Sequence, residues 1–95
     1  MTTLDDLQKI NVLQQTFLPV LEGELKDELA LRRMVDAMPA VETIKRGNEL
    51  YIAAVLVLRA AKALKKAQKK QSVWQTLKAQ GYMQQAQKEI RKFYK

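Results

Sequence analysis

Hydrophobic residues recur along most of this chain at intervals of three and four, the spacing of one face of an α-helix. In the first segment the pattern is carried by Leu4, Leu7, Ile10, Leu13 and Phe17. Two prolines and three glycines are the main interruptions in 95 residues. Helices are therefore predicted for nearly the whole chain, and the expected fold is all-α, a small bundle of four to five helices.

The prolines and one glycine predict where the first helices end. A proline disfavours the helical conformation of the residue before it, so the first helix is predicted to end or kink just before Pro19. Pro39 is predicted to close a second helix over residues 20–38. Two further helical turns are predicted over residues 40–46, with Pro39 at their first position and Gly47 at their C-terminal stop.

The second segment is too apolar for a helix with one buried stripe. Its hydrophobic residues spread over about 220° of a helical wheel, so we expect contacts on more than one side of the helix. The outer contact is predicted to be with a protein partner or with a second copy in a homodimer. The residues predicted for it are Leu21, Leu25, Leu31, Met34 and Met38.

A long central helix is predicted from about residue 48 to residue 71, with Asn48 as its cap. Its apolar run, Leu50–Leu58, contains β-branched residues and is also compatible with a buried strand. Helix is favoured because the run contains alanines and no second strand-like segment is present to pair with it. The run of nine residues is too short to cross a bilayer, which requires about 20, so no spanning helix is predicted. A membrane is not predicted as a partner either, because the alanines of the apolar face bury too little area to insert.

The last third of the chain contains two sharp local signals. Ser72 followed by Gln75 fits a capping box and predicts a new helix from Val73, although a helix continuous through Ser72 is left open. Gly81 fits the left-handed stop after that helix. A last helix then follows from about residue 83 to residue 94, and the two helices would form a C-terminal helical hairpin.

Helix, glycine turn and helix over about twenty residues resemble the helix-turn-helix motif of DNA-binding proteins. The resemblance implies that the second helix contacts bases and phosphates. Its polar residues are Gln84, Gln85, Gln87, Lys88, Arg91 and Lys92. The motif has a small residue where this chain has Leu77 and a buried aliphatic residue where it has Gln87, so a plain helical hairpin is the favoured alternative.

Charge divides the chain into two unlike halves. The 17 basic and 10 acidic residues give a formal net charge of +7. Residues 1–49 contain six basic and nine acidic residues, whereas residues 50–95 contain eleven basic residues and one acidic residue. We predict a single helical domain over residues 1–95, in which the basic half either pairs with the acidic half or binds an external polyanion.

Six of the eleven basic residues in residues 50–95 lie on one face of the central helix. On a helical wheel six cations fall within an arc of about 140°, in a stripe about 17 Å long. Phosphates recur every ~3.4 Å on a nucleic-acid strand, so the stripe has the length to contact several. A solvated face, an acidic protein surface and anionic lipid are the alternatives. The stripe consists of Arg59, Lys62, Lys65, Lys66, Lys69 and Lys70.

The sequence offers little for catalysis. It contains no cysteine and no histidine, which removes the usual general base and the usual ligands of transition metals. Its one serine is at a helix cap, and its glycines are isolated, so no phosphate loop is present. No enzymatic activity, cofactor or metal is predicted. The aromatic residues Trp74, Tyr82, Phe93 and Tyr94 are expected to complete the small core rather than to stack on bases.

These features predict a small, non-enzymatic nucleic-acid-binding protein, a regulator of the phage or plasmid type, in the cytoplasm of a bacterial or phage-infected cell. The residues expected to bind nucleic acid are those of the stripe together with Lys88, Arg91 and Lys92. The alternative is an adaptor or inhibitor from a mobile element, which acts by covering the surface of a protein partner.

Overall fold

The computed structural model describes residues 3–23 and 28–93. They form four helices, α1 (Thr3–Glu22), α2 (Glu28–Glu42), α3 (Tyr51–Lys70) and α4 (Val73–Phe93), and no strand occurs in these ranges. The most extensive packing is between α3 and α4 and between α1 and α2, and α3 also contacts α1 and α2. The predicted all-α bundle with a long central helix is confirmed.

The core is centred on α3 and is wholly hydrophobic. Val57, Ala60 and Leu64 are completely buried. Leu13 of α1 and Met34 of α2 are equally inaccessible and belong to the same cluster. No polar or charged residue is buried in the described part of the chain, so hydrophobic burial and helix hydrogen bonding hold the bundle together.

Pro19 lies inside α1, so the first helix does not end there, and the kink that was the other expectation at Pro19 stays a prediction. Pro39 lies inside α2, so the prediction that it closes the second helix is wrong. A proline within a helix removes one hydrogen bond and costs about 3 kcal/mol. Both prolines are exposed, so water can donate to the carbonyl oxygen, four residues earlier, that has no proline N–H to accept. The helices continue because the core buries a residue shortly after each proline: Val20 directly after Pro19, and Val41 two positions after Pro39.

The end of α1 lies at a close approach between Gly23 and Pro19. Gly23 donates its N–H to the carbonyl oxygen of Pro19 at 2.7 Å. A Cβ at position 23 would collide with that same oxygen. Glycine at position 23 therefore permits the close approach to the Pro19 carbonyl at which α1 ends.

The two helical turns predicted over residues 40–46 are absent, because α2 occupies the first part of that range and a loop the rest. Gly47 is in the left-handed region, with a φ of 100°. Asn48 makes an Asx-type turn: its Oδ1 accepts the N–H of Leu50 at 2.8 Å, just before α3 begins. Its Nδ2 donates to Oδ2 of Asp6 at 2.6 Å and fixes the loop to α1.

The break between α3 and α4 occurs where the capping signal predicts it. Gln71 adopts the left-handed conformation, with φ 52° and ψ 45°, and ends α3. Ser72 Oγ then accepts the N–H of Gln75 at 3.3 Å, and α4 begins at Val73. The prediction of a helix starting at Val73 is confirmed, and the helix continuous through Ser72 is ruled out.

The predicted C-terminal hairpin is wrong, since α4 passes through Gly81 without a turn. Ala79, Met83, Ala86 and Ile90 form one buried stripe at helical spacing on both sides of this glycine. Burying that stripe against the bundle outweighs the cost of a glycine in a helix, which is about 1 kcal/mol. Without a turn, the resemblance to a helix-turn-helix motif does not hold.

We expect Gly81→Ala to stabilise the protein by about 0.5–1 kcal/mol, because alanine is the better helix former. A Cβ at this position meets nothing within 4 Å. Urea denaturation followed by circular dichroism would measure the change. A loss of stability would contradict the continuous helix, since alanine is strained in the left-handed conformation that a turn at Gly81 requires.

The described helices include none that is both long enough and apolar enough to cross a bilayer.

Candidate functional site

The cations predicted to bind nucleic acid are all exposed. Between described residues, ion pairs join Lys9 to Asp6 at 3.4 Å and Lys92 to Glu89 at 3.0 Å. Neither pair includes a residue of the α3 stripe. In the part of the chain that the structure describes, the acidic half therefore makes no salt bridge to that stripe.

A shallow basic groove runs between α3 and α4. It has a volume of about 200 Å³. Three residues of the stripe line it from α3, and a fourth cation, Lys78, lines it from α4. We call it the basic groove; its lining is Arg59, Lys62, Ala63, Lys66, Gln75, Lys78 and Tyr82.

Lys78 was missed because it is isolated in the sequence. A signal was nevertheless present in the capping box. Lys66 precedes Ser72 by six residues and Lys78 follows it by six. In an antiparallel pair of helices that turns at Ser72, residues equally far from the turn lie at the same height. The predicted break at Ser72 therefore brings Lys66 and Lys78 to the same level.

Small residues allow the two sides of the basic groove to come together. The buried surfaces of α3 and α4, the most extensively packed pair of helices, are rich in alanine. Alanine side chains permit a short distance between helix axes, toward the lower end of the usual 8–10 Å. The cations of both helices consequently share one surface. The buried alanines are Ala53, Ala54, Ala60, Ala61, Ala63 and Ala67 on α3 and Ala79 and Ala86 on α4.

The basic groove is electrostatically one-sided. Its lining contains four cations and no carboxylate. Residues 50–95 contain a single acidic residue, Glu89, and that residue pairs with Lys92. Clustered like charges raise the local potential and attract anions. A bound anion also relieves the repulsion among these side chains, so the groove is chemically suited to phosphate or carboxylate groups.

The remaining predicted cations do not join this site. Lys65, Lys69 and Lys70 are exposed on α3 but do not line the basic groove. Lys88 and Arg91 follow Lys78 along α4 by about 15 Å or more, at 1.5 Å per residue. The nine residues therefore divide into a groove, a flank of three lysines and a separate cluster near the C-terminal end of α4.

The expectation that the aromatic residues complete the core is wrong for Trp74, which is 70% exposed. It lies in the first turn of α4, beyond the stripe that α4 buries. Tyr82 and Phe93 are partly buried and pack against the core as predicted. Tyr94 lies outside the described residues.

The residues predicted to bind a protein partner are also divided by the fold. Met34 and Met38 are buried in the chain's own core, so this part of the prediction is wrong. Most of the apolar surface of α2 packs within the bundle, although Leu29 is 58% exposed. Leu21 and Leu31 are partly buried and pack against the core, and Leu25 lies outside the described residues.

A second, uncharged groove of about 490 Å³ lies between α1 and α4. Its apolar lining is Phe17, Leu18, Leu21 and Met83. Amide side chains complete it: Asn11, Gln14, Gln15, Gln80, Gln84 and Gln87. The glutamines that the helix-turn-helix resemblance assigned to base contacts thus include two that line this uncharged groove. We call it the amide groove.

Comparison of the chain with protein-family models, with curated proteins and with solved structures finds no match.

Proposed function

We propose that this protein binds a nucleic acid, without catalysing a reaction on it, through the basic groove between α3 and α4. The observation that carries the proposal is the convergence of four cations from two helices on a surface that contains no carboxylate. None of the four forms a salt bridge with a described residue. Their positive charge is therefore available to an external anion.

The shape of the charged surface favours a polymer over a small anion. The stripe on α3 extends for about 17 Å, which corresponds to about five phosphates along one strand of a duplex, where the axial rise is about 3.4 Å per phosphate. Lys65, Lys69 and Lys70 extend the positive surface beyond the basic groove along the same helix. A polyanion that enters the groove thus meets further cations along its length, whereas an isolated phosphate would use few of them.

A salt titration with the purified protein tests this proposal. If the four groove cations each neutralise one phosphate, a plot of log affinity against log salt has a slope of about −3 to −4. The affinity for a labelled oligonucleotide then falls roughly 50- to 150-fold between 50 and 200 mM salt. Contacts from the flanking lysines would make the slope steeper.

A peptide nucleic acid of the same base sequence is the matched control, since it presents the bases without phosphates. We expect no measurable binding of this control at any salt concentration. A slope near zero for the oligonucleotide, or equal binding of the two ligands, would overturn the proposal.

The alternative function is contact with a protein partner through the amide groove. The observation that favours it is an apolar floor that includes Leu18, which is 49% exposed, within a rim of uncharged amides. Such a groove suits a segment with apolar and uncharged polar side chains. Capture of one stoichiometric protein that withstands nuclease treatment and is lost in Leu18→Asp would favour this function over nucleic-acid binding.

A further inference from the structure

We infer that the nucleic acid is single-stranded and that Trp74 stacks on one of its bases at the end of the basic groove. This inference rests on the proposed function and adds the form of nucleic acid that the site recognises.

The first support is the exposure of the indole. Trp74 is the only tryptophan in the chain and is 70% exposed, and its neighbours Val73 and Leu77 are 75% and 57% exposed. Apolar side chains scattered singly over a surface are ordinary, whereas a contiguous apolar patch indicates a binding surface. The start of α4 carries such a patch.

The second support is the position of Trp74. Trp74, Lys78 and Tyr82 follow one another at intervals of four residues, which places them in one row along α4. Lys78 and Tyr82 line the basic groove, as does Gln75, the residue after Trp74. Trp74 therefore lies one helical turn, about 6 Å, beyond Lys78 and toward the loop between α3 and α4.

A ligand that uses both features must combine anionic groups with flat apolar faces. A single strand of nucleic acid does so, because its backbone carries the phosphates and its unpaired bases expose their faces. In a duplex the bases are stacked on one another, and an aromatic side chain reaches them only by unstacking a step. An acidic protein surface supplies the charge but no regular series of flat faces.

The single tryptophan is also the probe for the test. The ligands are an oligothymidylate of 12 residues, an abasic strand with the same number of phosphates and a duplex of equal length. We expect the oligothymidylate to quench the emission of Trp74 and the abasic strand to leave it nearly unchanged. Loss of one stacked base is expected to weaken binding of the abasic strand by about 5- to 150-fold.

Substitution separates stacking from general apolar contact. In Trp74→Ala, measured by anisotropy of the labelled strands, affinity for oligothymidylate should fall to that for the abasic strand, and affinity for the abasic strand should not change. Leu29→Ala is the matched control, since it removes an apolar side chain that is equally exposed, at 58%, but lies on α2 and outside this patch. We expect it to bind both strands like the unmodified protein.

The outcomes distinguish this inference from the proposed function. Equal weakening of both strands by Trp74→Ala, or equal affinity for duplex and oligothymidylate without quenching, overturns the stacking inference and leaves the proposed function intact. Failure of all three polyanions to bind overturns both. Circular dichroism of each variant establishes that it is folded.

Discussion

Replacing Lys62, Lys66 and Lys78 by glutamate is expected to lower the affinity for nucleic acid by at least about 100-fold at low salt. These lysines supply three of the four cations of the basic groove. Their replacement by carboxylates removes three phosphate contacts and places negative charge where the backbone would lie. The slope of log affinity against log salt should shrink by about 2 to 3.

Lys65, Lys69 and Lys70 provide a matched control. Their replacement by glutamate lowers the formal net charge from +7 to +1, as the groove variant does, so the long-range attraction of an anion changes to the same extent. Because these lysines extend the positive surface but do not line the basic groove, we expect a loss at least about tenfold smaller than that of the groove variant.

Stability cannot explain the expected difference between the two triple variants. Lys69 and Lys70 lie in the last turn of α3, where the helix dipole favours cations by about 0.3–1 kcal/mol each. The control is therefore expected to be the less stable protein, yet the better binder. Fluorescence anisotropy with a labelled oligonucleotide measures the affinity of each triple variant. Equal losses of affinity would mean that overall charge, not the groove, governs binding.

Phe17→Ala is expected to destabilise the protein by about 3–5 kcal/mol. The Phe17 side chain is 2% exposed and is among the largest of those the core encloses. Its removal loses apolar burial and leaves a cavity that the surrounding helices fill incompletely. Since domains of this size are stable by about 5–15 kcal/mol, the change is a large part of the total. Urea denaturation measures it, and we expect the melting temperature to fall by roughly 15–30 °C.

Trp74→Ala removes an even larger aromatic side chain and is expected to change stability by less than about 0.5 kcal/mol. The difference arises because water already covers most of the indole, which is 70% exposed. If both substitutions cost the same, the indole is buried in solution, as it would be between two copies of the chain. Light scattering at several protein concentrations would then detect the dimer.

Local signals in the sequence predict one helix boundary of this fold correctly and others wrongly. The capping box at Ser72 depends on residues within one turn, and the structure has the helix start that it predicts. Pro19, Pro39 and Gly81 are local signals too, yet each lies inside a helix. Their effect is outweighed by side chains such as Val20 and Met83, which other elements bury. That burial is non-local and cannot be counted before the packing is known.

The candidate site, too, could be predicted only in part, where a single helix determines it. The exposure of the α3 stripe follows from helical periodicity, and the structure has all six of its cations on the surface. The basic groove needs a second helix, and its fourth cation is Lys78 on α4. Met34 and Met38 show the converse, since two residues predicted to contact a partner are buried within the bundle. Which apolar residues remain uncovered depends on the pairing of helices, as the exposure of Trp74 illustrates.

The small size of the buried alanines on α3 and α4 affects how the exposed cations of the two helices are arranged. Their methyl groups determine how far apart the cations of the two helices lie, so a bulkier residue at Ala67 or Ala79 would move them apart without replacing any lysine. Recognition of an anion can thus be adjusted, in evolution or by design, through side chains that never touch it.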